Sequence, residues 1–288
     1  MGLRLGVLAR FVFGVVLVCR NKSRLTRDGV SEGVTQNRPA VTFRIVAHRG
    51  VTDAAPGNTL AAFRAALALG VDAVELDVRL SRDGAPVVHH NYYLDLDERR
   101  PIFQQTLQDL RAETVADPRP ALSGRHSVPQ LSEVLEEFAG RLGLEIELKG
   151  PEPEAAMIVA DMLNAHRNHL DRIEVTSWSP QLLVSIGDRC PGISTALLFP
   201  ASEPWMHEDV LAYAALHQAR SGHAGAVHLH ADQLSEQGVA AIRAGGVEVH
   251  AHSVNDRASL QLASVLAVPW ICTDQPGLAL AFRQAQHG

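Results

Sequence analysis

The chain has 288 residues, enough for one large domain or two small ones with ample buried core. Hydrophobic residues make up 46% and charged residues 20%, and 26 basic against 32 acidic residues leave a net charge of -6 without a long run of either sign. These figures exclude a secreted mini-protein, a fibrous chain, a multi-span membrane protein and a basic nucleic-acid binder, and three scattered cysteines (Cys19, Cys190, Cys272) supply neither a disulfide framework nor a CxxC zinc site.

Residues 1–41 read as an apolar and basic leader. Leu5 to Cys19 is mostly apolar but holds Arg10 and is followed by Arg20, Lys22, Arg24 and Arg27. It is short for a spanning helix, which needs about 20 apolar residues, and no A-x-A-like cleavage site follows. The expectation is a poorly packed leader or a weak membrane anchor ahead of a domain over 42–288. The cysteine usage points to a reducing, cytoplasmic setting.

From Thr42 onward, short β-branched runs alternate with amphipathic helical patterns. The predicted strands are Arg44–Ala47, Ala73–Val78, Pro86–His89, Leu144–Leu148, Arg172–Thr176, Ser194–Leu198, Ala226–Leu229, Val247–Ala251 and Trp270–Cys272. The predicted helices are Thr59–Leu69, closed by Gly70, then Leu131–Phe138, Pro153–Ala165, Pro180–Asp188, His207–Gln218, Ser235–Ala244 and Asp256–Leu266. Such alternation means βα units and a parallel sheet. Asp83-Gly84 between the second and third strands is a hairpin signal, so the third strand is an antiparallel excursion. Removing it leaves eight parallel strands, the count of a (β/α)8 TIM barrel, and no Gly-rich phosphate loop follows the first strand to favour a doubly wound sheet.

Chemistry in such a barrel sits at the C-terminal strand ends. The first strand ends in His48-Arg49-Gly50. Glu75 and Asp77 lie two apart on the second strand and share its inner face, because Val74, Leu76 and Val78 take the outer one. Glu145, Glu147 and Lys149 repeat the pattern. Glu75, Asp77 and Glu147 together make an oxygen-ligand set for Mg²⁺ or Ca²⁺. Arg49 and Lys149 add positive charge suited to a phosphate ester, and His48 and His90 are placed to exchange protons with attacking and leaving oxygens.

The stretches His48-Arg49-Gly50, Pro56-Gly57-Asn58-Thr59-Leu60-Ala61-Ala62-Phe63, Val74-Glu75-Leu76-Asp77-Val78 and Asp83-Gly84-Ala85-Pro86-Val87-Val88-His89-His90 resemble glycerophosphodiester phosphodiesterases. Ile146-Glu147-Leu148-Lys149 is similar to that family's second acidic motif and Thr273-Asp274-Gln275-Pro276 to its closing strand. The resemblance implies a (β/α)8 barrel and cleavage of a small-molecule glycerophosphodiester to sn-glycerol 3-phosphate and an alcohol with one divalent cation. It also implies His48 and His90 as acid/base pair, Arg49 and Lys149 on the phosphate, and Glu75, Asp77 and Glu147 on the metal. The implied route is attack by the glycerol 2-hydroxyl, departure of the alcohol and opening of a cyclic phosphate by water.

Three positions depart from the family pattern: Gly57 stands for Glu, Asn91 for Asp after the histidine, and His252 for Trp. Asn58 and Thr59 read equally as a helix cap or a rim contact. His228-Leu229-His230 and His250-Ala251-His252 have the His-x-His form of metal-dependent amidohydrolases, but on the sixth and seventh barrel strands instead of the first. Other readings are a lysophospholipase D-like enzyme with an apolar groove near Phe199, Trp205 and Met206, and a weakened barrel with a binding role.

Overall fold

The computed structural model describes residues 43–94, 99–113, 115, 126–203 and 205–286. The leader read from Leu5–Cys19 lies outside the described residues. No helix among those described is long and apolar enough to cross a membrane.

Nine strands follow in chain order: β1 (Arg44–Ala47), β2 (Ala73–Leu80), β3 (Pro86–Val88), β4 (Gly143–Leu148), β5 (Ile173–Ser177), β6 (Ser194–Leu198), β7 (Ala226–His230), β8 (Glu248–His252) and β9 (Trp270–Thr273). Their order is β1-β9-β8-β7-β6-β5-β4-β2-β3, and a further β1–β2 pairing closes the eight parallel strands into a barrel. β3 runs antiparallel to β2, with Val78 opposite Val88, as the Asp-Gly turn predicts. Gly84 of that turn has φ 78°, a left-handed conformation open to glycine at little cost.

Every residue of β2 and β4 is buried, so the period-two alternation of apolar and acidic side chains decides which residues face inward. Val74, Leu76 and Val78 of β2 and Leu144, Ile146 and Leu148 of β4 belong to the apolar layer between sheet and helices. Their neighbours Glu75, Asp77, Glu145 and Glu147 therefore point into the barrel, where all four are buried. Around the strands pack α1 (Leu60–Leu69), α2 (Leu107–Ala112), α3 (Leu131–Phe138), α4 (Pro153–Ala165), α5 (Pro180–Arg189), α6 (Glu208–Ser221), α7 (Glu236–Ala244), α8 (Arg257–Val265) and α9 (Pro276–Ala285). α1 starts where the Thr59 hydroxyl accepts the Ala62 N–H and stops at Gly70, φ 82°. Its buried stripe brings Phe63 edge-on to Phe138 of α3 at 6.0 Å between ring centroids. Asp256 caps α8 through a capping box with Ser259.

Two helices escaped the sequence reading. α2 has 6 residues, too few for a 3.6 period to register. α9 opens at Pro276, so the motif Thr273–Pro276 spans a strand end, a turn and a helix start; its Phe282 stacks on Phe43 at 6.2 Å.

Phe138 is fully buried, so Phe138→Ala is expected to lower unfolding free energy by about 3–5 kcal/mol. The exposed Val265→Ala should change it by no more than ~0.5 kcal/mol. Urea titration of the two variants checks the contrast.

Candidate active site

The loop after β1 is shaped by conformations most residues avoid. Gly50 has φ +87°, and a Cβ there would lie 2.7 Å from the Ala62 backbone, so only glycine lets this loop touch α1. Arg49 (φ 58°) turns its amide onto Glu75 Oε2 at 3.1 Å, and its carbonyl accepts the Asn58 N–H at 3.0 Å. Asn58 (φ 60°) is buried and reaches inward. Its Nδ2 donates to Asp77 Oδ2 at 2.6 Å, while the Asp77 N–H donates to Asn58 Oδ1 at 3.2 Å. The two readings of Asn58-Thr59 thus divide: Thr59 caps the helix and Asn58 fixes a carboxylate.

Glu75, Asp77 and Glu147 each place a carboxylate oxygen within 4.8 Å of the others. Arg49 Nε approaches Asp77 Oδ2 at 3.1 Å, and Lys149 Nζ lies 2.8 Å from both Asp77 Oδ1 and Glu147 Oε2. Trp178 donates its indole N–H to Glu147 Oε1 at 2.9 Å. The three acids therefore differ in charge balance. Burial, with Asp77, Glu147 and Glu145 nearby, pushes Glu75 well above the usual carboxylate range. Burial acts on Asp77 too, but Lys149 and Arg49 overcome it and hold that carboxyl low. Burial raises Glu147 despite Lys149, and the same two acids outweigh burial to raise Lys149. Asp77 Oδ1 is buried without an aligned hydrogen bond. An all-oxygen set in which Glu75 is under-compensated suits a hard divalent cation.

Each histidine of the pair is anchored through Nδ1. His48 Nδ1 lies 2.6 Å from Asp274 Oδ1 and its Nε2 lies 3.8 Å from Glu75 Oε2. Asp274 in turn accepts from Asn255 Nδ2 at 2.8 Å. His90 Nδ1 meets Asn91 Oδ1 at 3.0 Å, and burial pushes its pKa down to about 4, with Lys149 and Arg49 adding to that and Asp77 opposing. His89 bonds the Tyr93 carbonyl instead, at 3.1 Å, in keeping with a side chain opposite to that of His90.

His48, Arg49, Glu75, His90, Glu147 and Lys149 line one cavity of about 240 Å³, with Asp77 buried behind them. Residues 48–278 match the model of the glycerophosphoryl diester phosphodiesterase family. The chain belongs to this family. It is thereby a hydrolase of glycerophosphodiesters. Among curated relatives, a glycerophosphodiester phosphodiesterase of Bacillus altitudinis is 28% identical, covering 84% of this chain and 98% of the relative. One from Bacillus subtilis is 26% identical over 81% and 84%. A solved Oleispira antarctica phosphodiesterase, in complex with the product sn-glycerol-3-phosphate, superposes with a TM-score of 0.73 at 26% identity, covering 84% of this chain and 96% of that one. The Agrobacterium tumefaciens glycerophosphodiester phosphodiesterase gives 0.69 at 27% identity, over 83% and 100%.

Of the family departures, His252 lines this cavity, while Gly57 and Asn91 lie against its residues Arg49 and His90. At Gly57 a Cβ would meet Arg49 Cβ at 3.1 Å and Thr52 Cγ2 at 3.3 Å, so a larger residue needs this loop to give. Asn91 retains an acceptor for His90 without a charge. His252 lines the cavity, its Nε2 is buried without a partner, and burial with His228, His230 and His48 nearby pushes its pKa down to about 3. Phe199, one of the residues whose groove would mark the lysophospholipase D-like reading, is 2% exposed in the core, and Leu198 and Trp178 line the cavity. Sequence reasoning missed two polar partners, Asp274 and Trp178. The first lay inside a quoted motif without a role, and the second follows a strand end, where rim residues are sought.

In the fold His90 and His252 stay neutral down to about 4 and about 3. An unfolded chain protonates them near pH ~6.5. The unfolded state therefore binds more protons as pH falls through that value, and these two groups withdraw stability on acidification. Glu75, raised in the fold, contributes with the opposite sign. Urea unfolding at pH 7.5 and pH 5 should accordingly show a smaller acid loss in His252→Phe than in the parent; equal losses would contradict the assignment.

Proposed function

We propose that the chain cleaves glycerophosphodiesters to sn-glycerol 3-phosphate and an alcohol at the cavity beside Asp77. One observation carries this reading: an oxygen-ligand triad, two cations and two Nδ1-anchored histidines meet at one strand-end mouth. Glu75, Asp77 and Glu147 hold one divalent cation, Mg²⁺ or Ca²⁺. Once bound, such an ion offsets charge on the phosphoryl oxygens and lowers the pKa of the attacking hydroxyl.

The remaining steps belong to side chains. Arg49 and Lys149 bind the phosphate and orient it. His90, neutral at physiological pH, takes the proton of the glycerol 2-hydroxyl as that oxygen bonds to phosphorus. His48 gives a proton to the alcohol oxygen as its bond to phosphorus breaks. Asp274 and Asn91 hold the two rings so that each Nε2 is the working nitrogen. The resulting cyclic phosphate opens when water attacks phosphorus, with the two histidines exchanging roles.

The cavity volume and the polar His252-Ser253 wall favour a short, polar alcohol over a lysophospholipid. Free, buried Cys190 and Cys272 accord with a cytoplasmic setting. Weak membrane association through residues 1–41 is kept as part of the proposal on the strength of their apolar and basic sequence.

Product release should be measured from a panel of glycerophosphodiesters and lysophospholipids with Mg²⁺, Ca²⁺ or EDTA. Glu75→Ala should abolish metal-dependent release, and His48→Ala and His90→Ala should each lower kcat about 10²–10⁴-fold. Release with no dependence on metal would sink the carboxylate assignment. A substrate lacking the 2-hydroxyl should not be cleaved. Its hydrolysis at the normal rate would replace the cyclic route by direct attack of water.

A further inference from the structure

A second cluster of ligand-bearing side chains lies inside the barrel, and the phosphodiesterase chemistry does not use it. Glu174 of β5, His228 of β7 and His250 of β8 are buried and come from three different strands. His228 Nε2 lies 2.9 Å from Glu174 Oε2 and 3.1 Å from His250 Nδ1, which is 3.3 Å from Glu174 Oε1. Ligands about 2.0–2.2 Å from a tetrahedral zinc-class ion stand roughly 3.3 Å from one another. The three contacts are close to that spacing.

Two more observations concern what stands behind the cluster. His228 Nδ1 is buried without a hydrogen-bond partner and faces Glu145 Oε1 at 3.6 Å. Glu145 is itself fixed by the Trp270 indole N–H, which donates to Oε2 at 2.8 Å. A carboxylate behind the remote nitrogen of an imidazole is the usual support of a metal-binding histidine. Charge points the same way. An ion held by two neutral imidazoles would balance the charges of the two glutamates.

We infer that Glu174, His228 and His250 form a binding site for a divalent transition-metal ion of the zinc class, with Glu145 orienting His228. Two nitrogen donors set this site apart from the all-oxygen triad Glu75, Asp77 and Glu147, which suits Mg²⁺ or Ca²⁺. The ion ties β5 to β7 and β8 and braces the barrel interior. His-x-His on neighbouring strands is the sequence signal of the site, since His228 and His250 stand in register.

The test uses metal-stripped, full-length protein with excess Mg²⁺ present, titrated with Co²⁺ and followed by visible absorption. The expected result is the intense absorption of low-coordinate cobalt, retained in Glu75→Ala and lost in His250→Gln and Glu174→Gln. His250→Cys should restore binding with an added thiolate-to-metal charge-transfer band. Zn²⁺ should raise the Tm of the parent and not that of His250→Gln. Absence of the absorption in folded parent protein overturns the proposal, as does absorption that disappears in Glu75→Ala. In those cases the cluster is a hydrogen-bonded Glu–His–His core. Should the glutamine variants fail to fold, comparison of the parent with Glu75→Ala still decides. A parent protein that binds cobalt in this way but releases no product from any glycerophosphodiester would count against the catalytic proposal alone.

Discussion

Carboxylates stand opposite carboxylates across adjacent strands of this barrel, and much of its interior answers that fact. Parallel register sets Glu75 beside Glu145, Asp77 beside Glu147, and Glu145 beside Glu174. Like charges in such positions repel, and burial removes the water that would screen them. Each acid accordingly has partners, with Lys149 shared between Asp77 and Glu147. Asp77 has Asn58, Arg49 and Lys149; Glu147 has Lys149 and Trp178; Glu145 has Trp270; Glu174 has two histidines. Glu75 is the least compensated, with a backbone amide at 3.1 Å and His48 at 3.8 Å. A cation binding there would relieve the strongest repulsion in the site, so affinity for metal and the instability of the acid pair have one origin.

The same arrangement explains why groups that neutralise the acids also suit a phosphate diester. Arg49 and Lys149 are held by Asp77, an acid kept ionised by their proximity, so their positions are fixed before substrate arrives. Asn58 supplies the remaining restraint without charge. Asp274 and Asn91 treat the two histidines differently, one through a carboxylate and one through an amide. Neighbours that differ in this way are how one site can hold a proton donor and a proton acceptor together.

How far the sequence revealed this depended on where a residue sits. Glu75, Asp77, Glu147 and Lys149 were legible because strands have period two and their apolar neighbours must lie under helices. The hairpin was legible from Asp83-Gly84, and the barrel from counting strands. Arg49 and His90 lie on loops, where no period applies; their place at the strand-end rim pointed to them and the family motif reinforced it. The grip of Asn58 on Asp77 was unreadable, since it depends on a positive φ and on a close approach between loop and strand. Asp274 stands 226 positions from the histidine that it orients, and only closure of the barrel through β1 and β9 brings them together. Phe199 follows a strand end, a position that left open whether it lines the mouth, and its side chain packs into the apolar layer.

Gly57, Asn91 and His252, where the chain leaves the family pattern, share a further property. None carries a charge at neutral pH, and none replaces an acid that faces inward from β2 or β4. The charge balance around Asp77 can therefore stand while the rim changes. Inward-facing acids are coupled through register and through shared cations, so replacing one alters the electrostatics of all. Rim residues answer mainly to the loop that carries them and to the ligand they meet. His252 in place of an indole exchanges apolar surface for a buried, unpartnered nitrogen at the cavity wall. Such a nitrogen is costly unless a ligand satisfies it. On the proposed function, that cost would favour an alcohol group able to hydrogen-bond, so variation at this position bears on the leaving group while the strands hold the acids beside phosphorus.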